Sequence, residues 1–256
     1  MYTLLTFATK SYSPALRYLI KTAKETTPFD AIIAGSPEQI NAKFAQQHTS
    51  ILTAPRGAGY WLWKPYFILQ ALEKAKEGEL LLYVDCASYF IQNAEALLNL
   101  PQTFNQDIIP FELEQIEGAW TKRDCFILLD AEGQGFEVSK QRQASFMVFR
   151  KSPISLKFAQ DYLRYCTDIH ALTESPNICG KENYPGFKEH RYDQSIFSLL
   201  SKKYHLSAFR DPSQWGNHQK GLFANSNYGQ ILELTRRAIP KQAKFIYRLK
   251  KRILGK

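Results

Sequence analysis

ELLLYVDCAS, Glu79 to Ser88, is the stretch that decides the fold. Glu79–Val84 is an almost unbroken apolar run, too short for a helix and of the kind buried on both faces of a parallel sheet. Asp85 marks its carboxyl end. Just upstream, RGAGYWLWKP, Arg56 to Pro65, reads as a loop whose Pro65 starts a helix with Ile68, Leu69, Leu72 and Ala75 on one face and Gly78 as its stop. A helix followed by a buried strand is one half-unit of an α/β sheet, and the flanking sequence repeats the pattern.

Towards the amino terminus, Tyr2–Ala8 predicts a strand and Ser13-Pro14 the start of a helix running to Lys24. Phe29–Ala34 predicts a second strand, Pro37–Ala45 a helix and Ser50–Thr53 a short strand. Towards the carboxyl terminus, strands are expected at Ile108–Phe111 and Ala144–Phe149, and Thr121 with Asp124 has the form of a capping box. Pro153 opens an amphipathic helix carrying Ile154, Phe158, Tyr162, Leu163 and Cys166, and Asp193 opens another with Ile196, Phe197 and Leu200 inward. Alternating strands and helices predict an α/β layered sheet whose site is built by loops at the strand carboxyl ends.

The 256 residues are 45% hydrophobic and 14% aromatic, enough for a sizeable core, which excludes a disordered or collagen-like chain. No apolar run reaches the ~18 residues of a membrane-spanning helix, and the first ten residues lack the pattern of a signal peptide. Cys86, Cys125, Cys166 and Cys179 form no C-x-x-C pair, so reduced thiols in the cytoplasm are expected rather than a zinc ribbon or a disulfide scaffold. The net charge of +9 is concentrated at the end of the chain, for no acidic residue follows Glu233. Residues 236–256 interleave basic side chains with Phe245, Ile246, Leu249 and Ile253 at helical spacing. That pattern predicts a basic amphipathic helix able to lie on an anionic membrane surface, against a solvated basic tail, and it argues against nucleic acid as the partner. The expected division is one catalytic domain over 1–235 and a basic tail over 236–256.

A metal-held diphosphate needs a carboxylate, a second ligand and a cation on the phosphates. Asp85 at a strand end, with His218 and Lys220 from WGNHQKG, could supply those parts. Sugar transfer needs a carboxylate near the anomeric carbon, and Asp193 in HRYDQS is the candidate. Arg56 and Lys64 are placed to contact a diphosphate, Lys64 because it precedes a helix start. Tyr60, Trp61 and Trp63 read either as core anchors or as a face on which a base or sugar stacks. Glu112, Glu114 and Glu117 form an acidic cluster, read as solvated loop carboxylates or as contacts for acceptor hydroxyls.

RGAGYWLWKP, LLLYVDCAS and HRYDQSIFSLL together resemble bacterial glycosyltransferases of the GT-A fold that build surface polysaccharide such as capsule, O-antigen or lipooligosaccharide. The resemblance spans about residues 1–230. It implies a Rossmann-like mixed sheet flanked by helices, a nucleotide-sugar donor, in the first instance a UDP-sugar, and a glycan acceptor that can be lipid-linked, with the enzyme peripheral on the inner face of the membrane. It also implies that Asp85 and His218 hold Mn²⁺ or Mg²⁺ and that Asp193 serves the acceptor. The chain departs from the family at the D-x-D motif, which here is Asp85-Cys86-Ala87. A competing expectation follows from that departure: a non-catalytic, membrane-associated glycan-assembly protein with the same fold.

Overall fold

A computed structural model describes residues 1–238; the amphipathic segment expected beyond Ala238 lies outside the described residues. The central sheet contains β1 (Tyr2–Phe7), β2 (Ala31–Gly35), β3 (Leu80–Val84), β5 (Ile108–Ile116), β6 (Lys140–Arg150) and β7 (Phe209–Arg210), in the order β2-β1-β3-β6-β5-β7. A separate two-stranded ribbon pairs β4 (Ser88–Phe90) with β8 (Leu232–Leu234). β1 runs parallel to both β2 and β3, with Leu4 opposite Leu82, whereas β6 is antiparallel to β3 and β5. The sheet is therefore mixed.

Strand periodicity divides the core between two layers. Leu5, Phe7, Leu81, Tyr83, Met147 and Phe149 point to one face, which is covered by α2 (Trp63–Lys74), α3 (Pro153–Cys166) and α4 (Tyr192–Lys203). Leu4, Leu82, Val84, Phe146 and Val148 point to the other, against Leu19 and Ala23 of α1 (Ser13–Thr26). Leu82 and Val84 are fully buried, and burying each such side chain contributes about 1.5–3 kcal/mol, which is what holds β3 in the middle of the sheet. α3 starts where expected: Ser152 accepts from the Ser155 N–H, and Pro153 follows in the first turn.

Four expectations are corrected. Residues 50–53 are not a strand but belong to a helical turn, Thr49–Leu52. The Thr49 hydroxyl donates to the Ala45 and Gln46 carbonyls and Thr53 to the Thr49 carbonyl, so these β-branched residues satisfy themselves against the preceding turn. Thr121 does not cap a helix; its hydroxyl donates to Glu117, and the next helical turn starts at Arg123. Glu112 and Glu114 lie on β5, and Glu117 is not a solvated loop residue at all. It is fully buried, paired with Lys202 at 2.6 Å, and accepts from Thr121, Gln141 and Ser198. The expected helix 37–45 is also divided, into a short turn at Pro37–Gln39 and a helix at Ala42–Gln47 capped by Asn41.

Candidate active site at the carboxyl ends of the strands

β1 and β3 are parallel neighbours, so their carboxyl ends open side by side. Asp85 leaves β3 there, its N–H bonded to the Ser145 carbonyl of β6 at 2.9 Å. The Tyr83 hydroxyl donates to Asp85 Oδ1 at 2.6 Å, and the Asp85 side chain remains about one-quarter exposed.

Above this edge the chain makes a turn in which every residue from Gly57 to Trp61 has positive φ. Such a run is strained for Ala58, Tyr60 and Trp61. Gly59 is required on packing grounds as well, because a Cβ there would lie 2.8 Å from Leu52 Cα. The turn delivers α2 with Trp63 and Lys64 pointing into the protein. Trp63 stacks on Phe7 at 3.8 Å between ring centroids, and its indole N–H donates to the Gly57 carbonyl at 2.9 Å, so it is a core anchor at the cavity wall.

Lys64 is buried, and its ammonium lies 2.8 Å from Asp193 Oδ2, 3.0 Å from the Ala144 carbonyl and 3.5 Å from Asp85 Oδ1. The sequence placed Lys64 on a diphosphate; the fold instead makes it the shared counter-ion of the two aspartates. Asp193, in the first turn of α4, also accepts from the Tyr162 hydroxyl at 3.1 Å. Burial raises the Asp193 carboxyl to about 6, with Lys64 opposing the rise and Asp85 adding to it. Burial disfavours the charge on Lys64, but the two aspartates outweigh it and hold the ammonium above its ordinary range. At neutral pH the group is a carboxylate–ammonium–carboxylate chain.

These residues line a cavity of about 840 Å³. Arg56, Trp61, Trp63, Lys64, Asp85 and Asp193 are brought together in it. Arg56 Nε donates to the Tyr192 hydroxyl at 3.1 Å, and Trp61 leans on the same ring at 5.3 Å. His218 and Lys220 are not brought in. His218 Nε2 is 2.8 Å from Glu114 Oε1 in an adjoining cavity of about 150 Å³, and Lys220 is exposed and lines neither. The two cavities share Ser145, Arg191, Gln194, Leu234 and Arg236. Sequence reading missed Thr9, Ser11, Tyr12, Arg191, Tyr192 and Arg236, which complete the larger wall. Thr9 to Tyr12 follow β1 directly, a signal that the strand-end rule already supplied.

No protein-family description matches the chain, and no curated protein matches it. Among solved structures, it is similar to apo mouse xyloside xylosyltransferase 1, with 10% identity over 93% of this chain and 99% of that one and a TM-score of 0.51. The fold is that of a GT-A-like glycosyltransferase. The apo bifunctional glycosyltransferase WbbM also matches, at 11% identity over 78% of this chain but 37% of that one, with a TM-score of 0.49.

GT-A-like folds raise the question of a divalent ion, and the donor set here does not fit one. Position 87 is alanine, His218 is paired with Glu114, and Asp85 already shares its Oδ1 with a phenol and an ammonium. Among the described residues, no three His, Cys, Asp or Glu side chains converge as a metal site.

Proposed function

We propose that the chain transfers a glycosyl group from a nucleoside-diphosphate sugar, in the first instance a UDP-sugar, to a hydroxyl of a glycan acceptor. The observation that carries this reading is a buried carboxylate, Asp193, poised near neutral pH at the wall of a strand-end cavity large enough for a nucleotide sugar. In the reaction the acceptor oxygen bonds to the anomeric carbon, the bond from that carbon to the diphosphate breaks with its electron pair, and Asp193 takes the acceptor proton. A carboxyl group near 6 is matched to that task at neutral pH. Lys64 keeps Asp193 oriented and offsets the charge of Asp85 beside it. The diphosphate leaves as an anion toward the arginines of the cavity rim.

The acceptor is assigned to the adjoining cavity, where Glu112 and Glu114 offer acceptors for sugar hydroxyls and half-exposed Trp215 offers a stacking face. The test is turnover: the full chain, given a panel of UDP- and GDP-sugars, should release the nucleoside diphosphate from at least one of them. Trp215→Ala should raise the acceptor KM about tenfold, the scale of one lost stacking contact. Absence of release across the panel, with or without oligosaccharide acceptors, would sink the assignment.

The reading extends to location. We propose that residues 236–256 dock the enzyme on an anionic leaflet, where a lipid-linked glycan acceptor of surface polysaccharide would be presented. The parent chain should co-sediment with phosphatidylserine-containing liposomes, and Leu249→Glu with Ile253→Glu should abolish this while retaining the basic residues. Equal binding by the double variant would leave attraction purely electrostatic.

A further inference from the structure

We propose that the donor diphosphate is held by the guanidinium groups of Arg56, Arg191 and Arg236, with Lys64 neutralising the carboxylates beside it, and that no divalent ion takes part in donor binding. The inference rests on the donor reading above and concerns how that same cavity recognises its anion.

Charge is the first support. Four cations line the cavity against three carboxylates, so the lining is net positive before any ion is added. Lys64 answers both Asp85 and Asp193, which halves the negative charge that those aspartates would present to a diphosphate. The third carboxylate, Glu189, is half-exposed and stands 3.5 Å from Arg191 Nε. A divalent ion placed on Asp85 would have to share one carboxylate with the Lys64 ammonium, 3.5 Å from Oδ1, and would find no second carboxylate at Ala87.

Geometry is the second. Arg56 donates from Nε to Tyr192 and lies 5.4 Å over that ring, which orients the guanidinium; its two terminal nitrogens have no hydrogen-bond partner among the described residues. Arg191 is stacked over Trp120 at 3.9 Å, and its buried Nε, 3.5 Å from Glu189 Oε1, makes no hydrogen bond among the described residues. Arg236 is held over Trp215 at 5.9 Å, and its backbone N–H bonds to the Ala87 carbonyl at 3.3 Å, beside Asp85. Burial, opposed by Glu189 and helped by the nearby charge of Arg236, disfavours the Arg191 guanidinium, and an anion between the two arginines would offset both. Three planar forks steadied by aromatic rings suit the paired oxygens of phosphates.

Isothermal titration of UDP, and separately GDP, into the full chain tests this directly in EDTA and in Mn²⁺. The expected Kd values agree between the two buffers within about threefold. Binding that disappears in EDTA, or tightens tenfold or more with Mn²⁺, overturns the inference and leaves the donor reading standing. Failure of both nucleotides to bind in either buffer overturns the donor reading and the inference with it. In EDTA, Arg191→Gln and Arg236→Gln should each weaken UDP about tenfold, as expected for loss of a charged hydrogen bond, with melting of the free protein measured alongside. Parental affinity in both variants would also overturn it. The metal comparison uses the parent chain, so it stands even if a variant fails to fold.

Discussion

Asp193→Asn should lower turnover of the nucleotide sugar by about 10²-fold or more, because the amide keeps the shape of the side chain but cannot accept a proton. UDP affinity should change little, since the proposed reaction puts Asp193 against the acceptor hydroxyl and not on the diphosphate. The pH profile supplies a sharper criterion. With its carboxyl at about 6, Asp193 loses its proton between mildly acidic and neutral pH, so parental activity should rise with pH through about 6, not near 4. The asparagine variant should lack that limb. The same shift has a stability consequence of defined sign. Between the ordinary 3.8 and about 6 the folded chain holds a proton that the unfolded chain has released, so this group's contribution to stability is greatest at low pH and declines as pH rises to about 6. Urea unfolding of the two proteins across that range should differ in slope. Near-parental turnover in the variant would reduce Asp193 to a partner for Lys64.

The largest stability effect is expected at Glu117. Glu117→Ala leaves Lys202 buried without its carboxylate and strips Thr121, Gln141 and Ser198 of a common acceptor. Breaking a buried pair from one side costs about 3–5 kcal/mol, a large share of the stability of an ordinary domain. Urea midpoints at constant m-value are the measurement. Glu117→Met combined with Lys202→Met should recover part of the loss, because the Lys202 ammonium is no longer left unpaired although Thr121, Gln141 and Ser198 still lack their acceptor. A loss under about 1 kcal/mol in the single variant would mean that Lys202 reaches water, and the buried-pair account would fail.

What was legible in the sequence follows from which interactions are local. β3 was readable from its unbroken apolar run, α3 from hydrophobic period, Pro153 and the Ser152 cap together, and α4 from hydrophobic period with Asp193 in its first turn. Thr49–Leu52 was not, since its β-branched residues read as a strand while their hydroxyls bond back to the preceding turn. Glu117 could not be told from its less buried neighbours Glu112 and Glu114, because its partner Lys202 comes from a distant helix. At the site, Asp85 and Asp193 were found from position alone, at a strand end and a helix start. The role of Lys64 was hidden: proximity to a helix start suggested an anion outside, while the left-handed turn aims the side chain inward. His218 and Lys220 were placed by their loop's residue types, but nothing local states which strand that loop packs on, and it is Glu114 of β5 that meets His218.

The position of one nitrogen, Lys64 Nζ, limits how this protein can move. It belongs to a helix on one layer, yet it is tied to the end of a central strand through Asp85, to a second strand through Ala144 and to another helix through Asp193. Sliding that helical layer over the sheet would part the buried Lys64 ammonium from Asp85 and from the Ala144 carbonyl, a costly separation. Shear of that layer is thus unfavourable, and the Lys64 corner is the fixed side of the cavity that Thr9, Ser11, Arg56 and Tyr192 also line.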